Sequence, residues 1–150
     1  MEKSLDRFLK AQERDYETAL AEIRSGHKRS HWIWYIFPQL KGLGRSEMAE
    51  YFGIRDMAEA VEYWKHPELG QRLIEISEAL LELESSDPSE VMGWPDDMKL
   101  KSSMTLFLLA APEEPVFGKV LDKFYGGKRD MNTVRMLERG AEDGEYVHSC

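Results

Sequence analysis

The sequence predicts an all-α fold, a compact single domain of about seven helices. Three observations carry that expectation. Apolar residues recur at three- and four-residue spacing in successive segments. Caps and stops punctuate those segments and leave only short connections. The one stretch of β-like composition, residues 31–39, contains Pro38, which cannot donate to a strand ladder.

Leu5, Phe8, Leu9, Gln12, Tyr16, Ala19, Leu20 and Ile23 share one helical face, with Ser4 as the expected cap and Gly26 as the stop. The aromatic block follows, and Gly42-Leu43-Gly44 forms a turn. Ser46 is placed to cap a short helix over 47–52, closed by Gly53. Asp56 caps the next, 57–65. His66-Pro67 breaks it, and Pro67 suits the first turn of a successor bearing Leu69, Leu73, Ile76, Leu80 and Leu83. Asp87-Pro88 with Glu90 opens a one-turn helix ending at Gly93. Asp96-Asp97 begins another, carrying Met98, Met104, Phe107, Leu108 and Ala111, and Pro112 ends it. Pro115 starts the next, with Phe117, Val120, Leu121 and Phe124 inward and Gly126-Gly127 as the stop. Asp130 caps a final helix through Arg139. Residues 1–139 are expected to form the domain and 140–150 an acidic, frayed tail.

A chain of 150 residues suits one domain with a substantial core. Its formal net charge of −8 argues against duplex nucleic acid as a partner, because that affinity rests on many cation–phosphate contacts. The single cysteine, Cys150, cannot form an internal disulfide, and the charged N-terminus has no apolar signal-peptide core, so a cytoplasmic location is expected. The longest apolar run, residues 106–112, is too short to span a bilayer. The four histidines show no metal-binding spacing, and no cofactor is named by any motif.

One window departs from this acidic background. Residues 23–46 contain no Asp or Glu, where the chain's 28 acids would place about four or five on average. They hold Arg24, Lys28, Arg29, Lys41 and Arg45, with His31, Trp32, Trp34, Tyr35, Phe37 and Gln39 between. A basic, aromatic, glycine-bearing segment is where a small anion binds. The turn Gly42-Leu43-Gly44-Arg45-Ser46 leads into a helix N-terminus, whose free N–H groups favour phosphate, with Arg29 and Arg45 as forked donors. The bland alternative is a capped helix start with surface cations. Trp32 and Trp34 offer stacking faces, and the alternative is that they fill the core.

A second acid-free stretch, 98–112, presents Lys99, Ser102, Ser103 and Thr105. These can hold an anion or ribose hydroxyls; buried hydroxyls bonded to the preceding helical turn are the alternative. His31 and Asp97 are the candidate proton-moving groups.

Asp6-Arg7-Phe8, Ala11-Gln12, Lys28-Arg29-Ser30-His31-Trp32-Ile33-Trp34 and Phe37-Pro38-Gln39-Leu40 resemble a bacterial family, domain of unknown function 1810. Gly42-Leu43-Gly44, His66-Pro67, Leu69-Gly70, Arg72-Leu73, Asp96-Asp97, Lys99-Leu100, Ser102-Ser103-Met104-Thr105-Leu106-Phe107, Phe124-Tyr125-Gly126-Gly127, Asp130 and Thr133 extend the resemblance over residues 5–137. Some of its members carry the label calpastatin. Glu113-Glu114 and the acidic tail depart from the pattern. The resemblance implies a compact multi-helical fold and no established activity.

Two functional expectations follow. One is a binding domain or enzyme for a phosphate-bearing small molecule, of the nucleotide or ADP-ribose kind. The other is a non-catalytic interaction module that docks a partner through the aromatic block 31–39. A cavity where 28–46 meets 96–107 favours the first; a flat exposed aromatic patch favours the second.

Overall fold

The amphipathic face expected at the start of the chain builds α1, Glu2–Arg24, and buries Phe8, Ala19 and Ile23 completely. The helix begins ahead of the expected Ser4 cap. Gly26 follows it at φ +88°, a left-handed turn that suits glycine. The computed structural model describes the backbone of residues 2–149 and the side chains of residues 5–140.

Nine helices form among the described residues: α1, α2 (Ile33–Ile36), α3 (Glu47–Phe52), α4 (Met57–Lys65), α5 (Pro67–Leu81), α6 (Pro88–Met92), α7 (Asp96–Ala110), α8 (Val116–Tyr125) and α9 (Met131–Ser149). Most of their starts follow from the local chemistry. The Ser46 hydroxyl accepts from the Ala49 N–H at 3.1 Å, and Asp56 accepts from the Glu59 N–H at 2.9 Å. Asp87 accepts from Ser89 and Glu90. His66, read from sequence as a breaker, also caps α5: its Nδ1 accepts from the N–H groups of Glu68 and Leu69. α9 runs on past Arg139, where the sequence predicts its end, and its backbone is helical to Ser149. The side chains of the expected acidic tail lie outside the described residues.

The aromatic block makes no strand. Four of its residues form α2, and the chain then pairs once, in parallel, at Leu40 and Ile54. The Ile54 N–H donates to the Gln39 carbonyl at 2.9 Å, and the Lys41 N–H donates to the Ile54 carbonyl at 2.8 Å. Gly53 permits this approach, since a Cβ there would stand 2.5 Å from the Lys41 Cα.

α7 is the hub. It packs against α2, α4, α6, α8 and α9. Ser102 to Phe107 are all buried, so this segment has no solvent face. Burial on every side explains why acids are missing from it: an unpaired carboxylate there would be desolvated. A line of rings runs through the core beside it, with centroid separations of 5.1 Å for Phe8–Tyr63, 5.3 Å for Tyr63–Phe107 and 5.9 Å for Phe107–Phe117. Among the described residues no helix is long and apolar enough to cross a membrane.

Candidate functional site

The acid-free window 23–46 is organised by the acid that stands just before it. Glu22, at the end of α1, is 9% exposed. Its Oε1 accepts from the N–H groups of Arg29 (2.8 Å) and Ser30 (2.9 Å) and from the indole N–H of Trp32 (2.9 Å). Its Oε2 accepts from the Ser30 hydroxyl at 2.6 Å. Burial opposes ionisation of this carboxyl, but the four donors outweigh burial and hold its pKa down at about 2. The carboxylate therefore folds the basic segment around itself.

Lys28 is committed in a similar way. Its ammonium lies 2.7 Å from the Asp96 carboxylate and 4.8 Å from the centre of the Trp32 ring. Asp96 also approaches Lys99, at 3.6 Å. This shared carboxylate ties the first acid-free segment to the start of α7.

Trp32 is 1% exposed and packs against Phe37, so no ligand can stack on it. Trp34 is half-buried beneath the Lys99 ammonium, 5.5 Å away, and its indole N–H is shielded without a partner. With Tyr35 and Phe37 also buried, block 31–39 offers no flat aromatic face for a partner. The Arg29 and Arg45 side chains point to solvent, and Ser46 serves as the α3 cap. Gly42 adopts φ +102° and packs toward Met136. Ser103 and Thr105 are fully buried. Thr105 donates to the Lys101 carbonyl at 2.9 Å, the backbone-bonded arrangement set out as the alternative. His31 is exposed. Asp97 accepts from Ser89 (2.8 Å) and from the Met98 N–H (2.9 Å), which makes it part of the α6–α7 joint.

Four of the sequence candidates do come together. A pocket of about 220 Å³ is lined by Gln39, Leu43 and Gly44 on one side and by Pro95, Met98, Lys99 and Ser102 on the other. Asp130 and Asn132 complete it. Segments 28–46 and 96–107 thus meet around a cavity. Gln39 is 9% exposed, and its side-chain amide makes no hydrogen bond to any described residue. The Gln39 carbonyl is held by the bridge to Ile54, which fixes the amide beside the cavity. Gly44 lets the turn pack on α3, since a Cβ there would stand 2.8 Å from the Ala49 Cβ.

Asp130 and Asn132 join the pocket from far along the chain. Asp130 caps α9, its Oδ2 accepting from the Thr133 N–H at 3.0 Å and from the Thr133 hydroxyl. The Ser102 hydroxyl lies 3.2 Å from both that Oδ2 and the Met98 carbonyl. Asp130 carries a recognisable signal, an acid three residues before a threonine at a helix start, but that signal speaks of capping alone. Asn132 carries no signal.

A wider groove of about 350 Å³ lies between α1 and α3, lined by Arg7, Lys10, Arg14, Met48 and Tyr51 among others. Its arginines are already matched, Arg7 to the buried Glu59 at 3.3 Å and Arg14 to Asp15 at 3.0 Å. It has no counterpart to the unpartnered amide of Gln39. Among the described residues no cluster of three or more His, Cys, Asp or Glu side chains is arranged to hold a metal ion.

Comparison with known proteins places this geometry in a family. The model of the protein family of unknown function DUF1810 matches residues 2–137. The chain is also similar to a solved structure, the conserved hypothetical protein Rv1873 from Mycobacterium tuberculosis at 1.38 Å. The two share 43% identity over 89% of this chain and 96% of that one, with a TM-score of 0.87. No curated protein matches. The chain belongs to the DUF1810 family of proteins of unknown function.

Proposed function

We propose that the protein binds a small polar molecule of the nucleotide or ADP-ribose kind in the pocket between Gln39 and Lys99. The observation that carries this reading is the Gln39 amide, which lines the cavity and makes no hydrogen bond to a described residue. A ligand with matching donors and acceptors can take the place of the water that this amide would otherwise bind. Around it stand one ammonium for an anionic group (Lys99), a hydroxyl (Ser102), a carboxylate (Asp130) and a second amide (Asn132), with Leu43, Met98 and Pro95 as apolar walls. A few convergent polar groups on an apolar frame is the usual composition of a ligand site. His31 and Asp97 are not among its lining residues, so binding rather than catalysis is the reading proposed.

Thermal shift tests it. A ligand at a hundred times its Kd adds about 2.7 kcal/mol to the folded state, a rise of several degrees in Tm for a domain of this size. Nucleotides, ADP-ribose and sugar phosphates are screened against wild type, Gln39→Leu and Lys99→Ala, with Arg29→Ala as the control outside the pocket. The expected pattern is a rise in wild type and Arg29→Ala that shrinks in the two pocket variants. No rise in wild type with any of these ligands at 10 mM refutes the proposal.

A further inference from the structure

The pocket between Gln39 and Lys99 meets α9 at the first turn of that helix, where Asn132 lines it. One turn further on, Met136 packs on the turn that supplies the lining residues Leu43 and Gly44: a Cβ at Gly42 would stand 3.2 Å from the Met136 Cε. Arg135 lies on the same stretch of α9. Its Nη1 donates to the Asn132 Oδ1 at 3.4 Å, which sets a guanidinium against a side chain of the pocket lining.

Several arginines elsewhere are taken up by acids: Arg7 and Arg55 by Glu59, Arg14 by Asp15, and Arg72 by Glu68. Arg135 has no carboxylate partner among the described residues, and the Asn132 amide oxygen is its one hydrogen-bond acceptor there. An amide oxygen carries no charge. The guanidinium therefore keeps its attraction for an anion and most of its N–H donors. Lys99, in the lining itself, is also incompletely matched. Asp96 approaches it at 3.6 Å but holds Lys28 closer, at 2.7 Å. The acid of the pocket, Asp130, turns its Oδ2 to Thr133 and Ser102.

We infer that Lys99 and Arg135 together seat a phosphate group of the ligand, and that Asn132 positions Arg135 for it. This rests on the function proposed above and names the residues that read the ligand's charge. The two cations differ in what they offer. A guanidinium meets phosphate oxygens as a fork of paired donors, and an ammonium meets them as a point charge. A fork already held by Asn132 loses less freedom on binding than a free arginine would.

The test compares adenosine with AMP and ribose with ribose 5-phosphate, titrated calorimetrically into the full chain at low salt. The proteins are wild type, Arg135→Ala, Arg135→Lys, Asn132→Ala, the double variant of Arg135→Ala with Asn132→Ala, and Arg29→Ala. Arg135 and Asn132 are exposed, so their variants should melt as wild type does without ligand. The phosphorylated member of each pair should bind wild type roughly tenfold tighter or more, the value of one hydrogen bond to a charged group. Arg135→Ala should remove most of that preference and leave adenosine affinity unchanged, and Arg135→Lys should keep part of it. Asn132→Ala should lower the preference alone and add nothing to Arg135→Ala. Arg29→Ala removes an equal charge outside the pocket and should leave the preference intact. A preference that survives Arg135→Ala, or falls equally in Arg29→Ala, overturns the inference and leaves the proposed function standing. So does equal binding of AMP and adenosine by wild type. An unchanged preference in Asn132→Ala overturns its positioning role. No wild-type binding of any of the four compounds overturns the inference, and a silent thermal-shift screen beside it overturns the proposed function as well.

Discussion

Replacing Glu22 with glutamine lowers stability by about 3 kcal/mol at neutral pH, although the side chains are nearly the same shape. The amide oxygen can still accept from Arg29, Ser30 and Trp32, and the amide nitrogen replaces the oxygen that faces the Ser30 hydroxyl, which can turn to accept. What is lost is the charge. The variant therefore stands in for the protonated wild type, and the folded-state pKa measures the difference. A carboxyl whose pKa drops from 4.5 to about 2 favours the ionised fold by about 3 kcal/mol, at 1.36 kcal/mol for each tenfold step. The pH dependence has a definite sign. The folded-state pKa lies below the unfolded value, so the contribution is complete above 4.5 and disappears as the pH falls toward 2. Urea unfolding of both proteins at pH 7, 5 and 3 measures it. The gap should be widest at pH 7, little changed at pH 5, and clearly narrower at pH 3. A gap below about 1 kcal/mol at pH 7, or one that stays constant down to pH 3, would show that the four donors do not act on a charged Glu22.

Gly70→Ala should destabilise the protein by about 2–3 kcal/mol as overpacking, against the small gain expected from helix propensity. The new Cβ would stand 2.3 Å from the Trp64 carbonyl oxygen, a backbone atom that moves only if α4 and α5 part; thermal melting reads the outcome, and a rise in Tm contradicts it. Asp130→Ala removes the α9 cap and the Ser102 contact, for a loss of about 1–2 kcal/mol, while Asp130→Asn keeps a capping oxygen and should stay nearer wild type. Amide exchange at Thr133 and Val134 should rise in the alanine variant alone, and equal exchange in both variants would contradict the capping role.

Signals that act within a few residues were legible in the sequence. The Ser46, Asp56 and Asp87 caps locate three helix starts because each satisfies N–H groups next to it in the chain, and Pro67 locates a fourth because it has no N–H to leave unpaired in the first turn of α5. α2 was not legible, because four residues give no period to read, and this helix exists by burial of Ile33, Tyr35 and Ile36. The site divides along the same line. Gln39, Gly44, Lys99 and Ser102 lie in segments whose composition marks them. Asp130 and Asn132 reach the pocket only because α9 folds back against α7.

That contrast explains what an acid-free window means in an acidic chain. Neither window is an open field of positive charge. Window 23–46 begins one residue after Glu22, and window 98–112 begins two residues after Asp96. Each flanking acid reaches inward: Glu22 takes the N–H groups and indole of the first segment, and Asp96 takes Lys28 and Lys99. Much of each window's interior is buried, and the two cations that turn inward, Lys28 and Lys99, meet Asp96, while Arg29 and Arg45 stay in solvent. A binding site then has to be sought where matching stops. Among the described residues the Gln39 amide has no protein hydrogen-bond partner, Lys99 shares Asp96 at 3.6 Å, and both line a pocket where the two windows meet. The ligand reading rests on that leftover polarity and not on the count of basic residues.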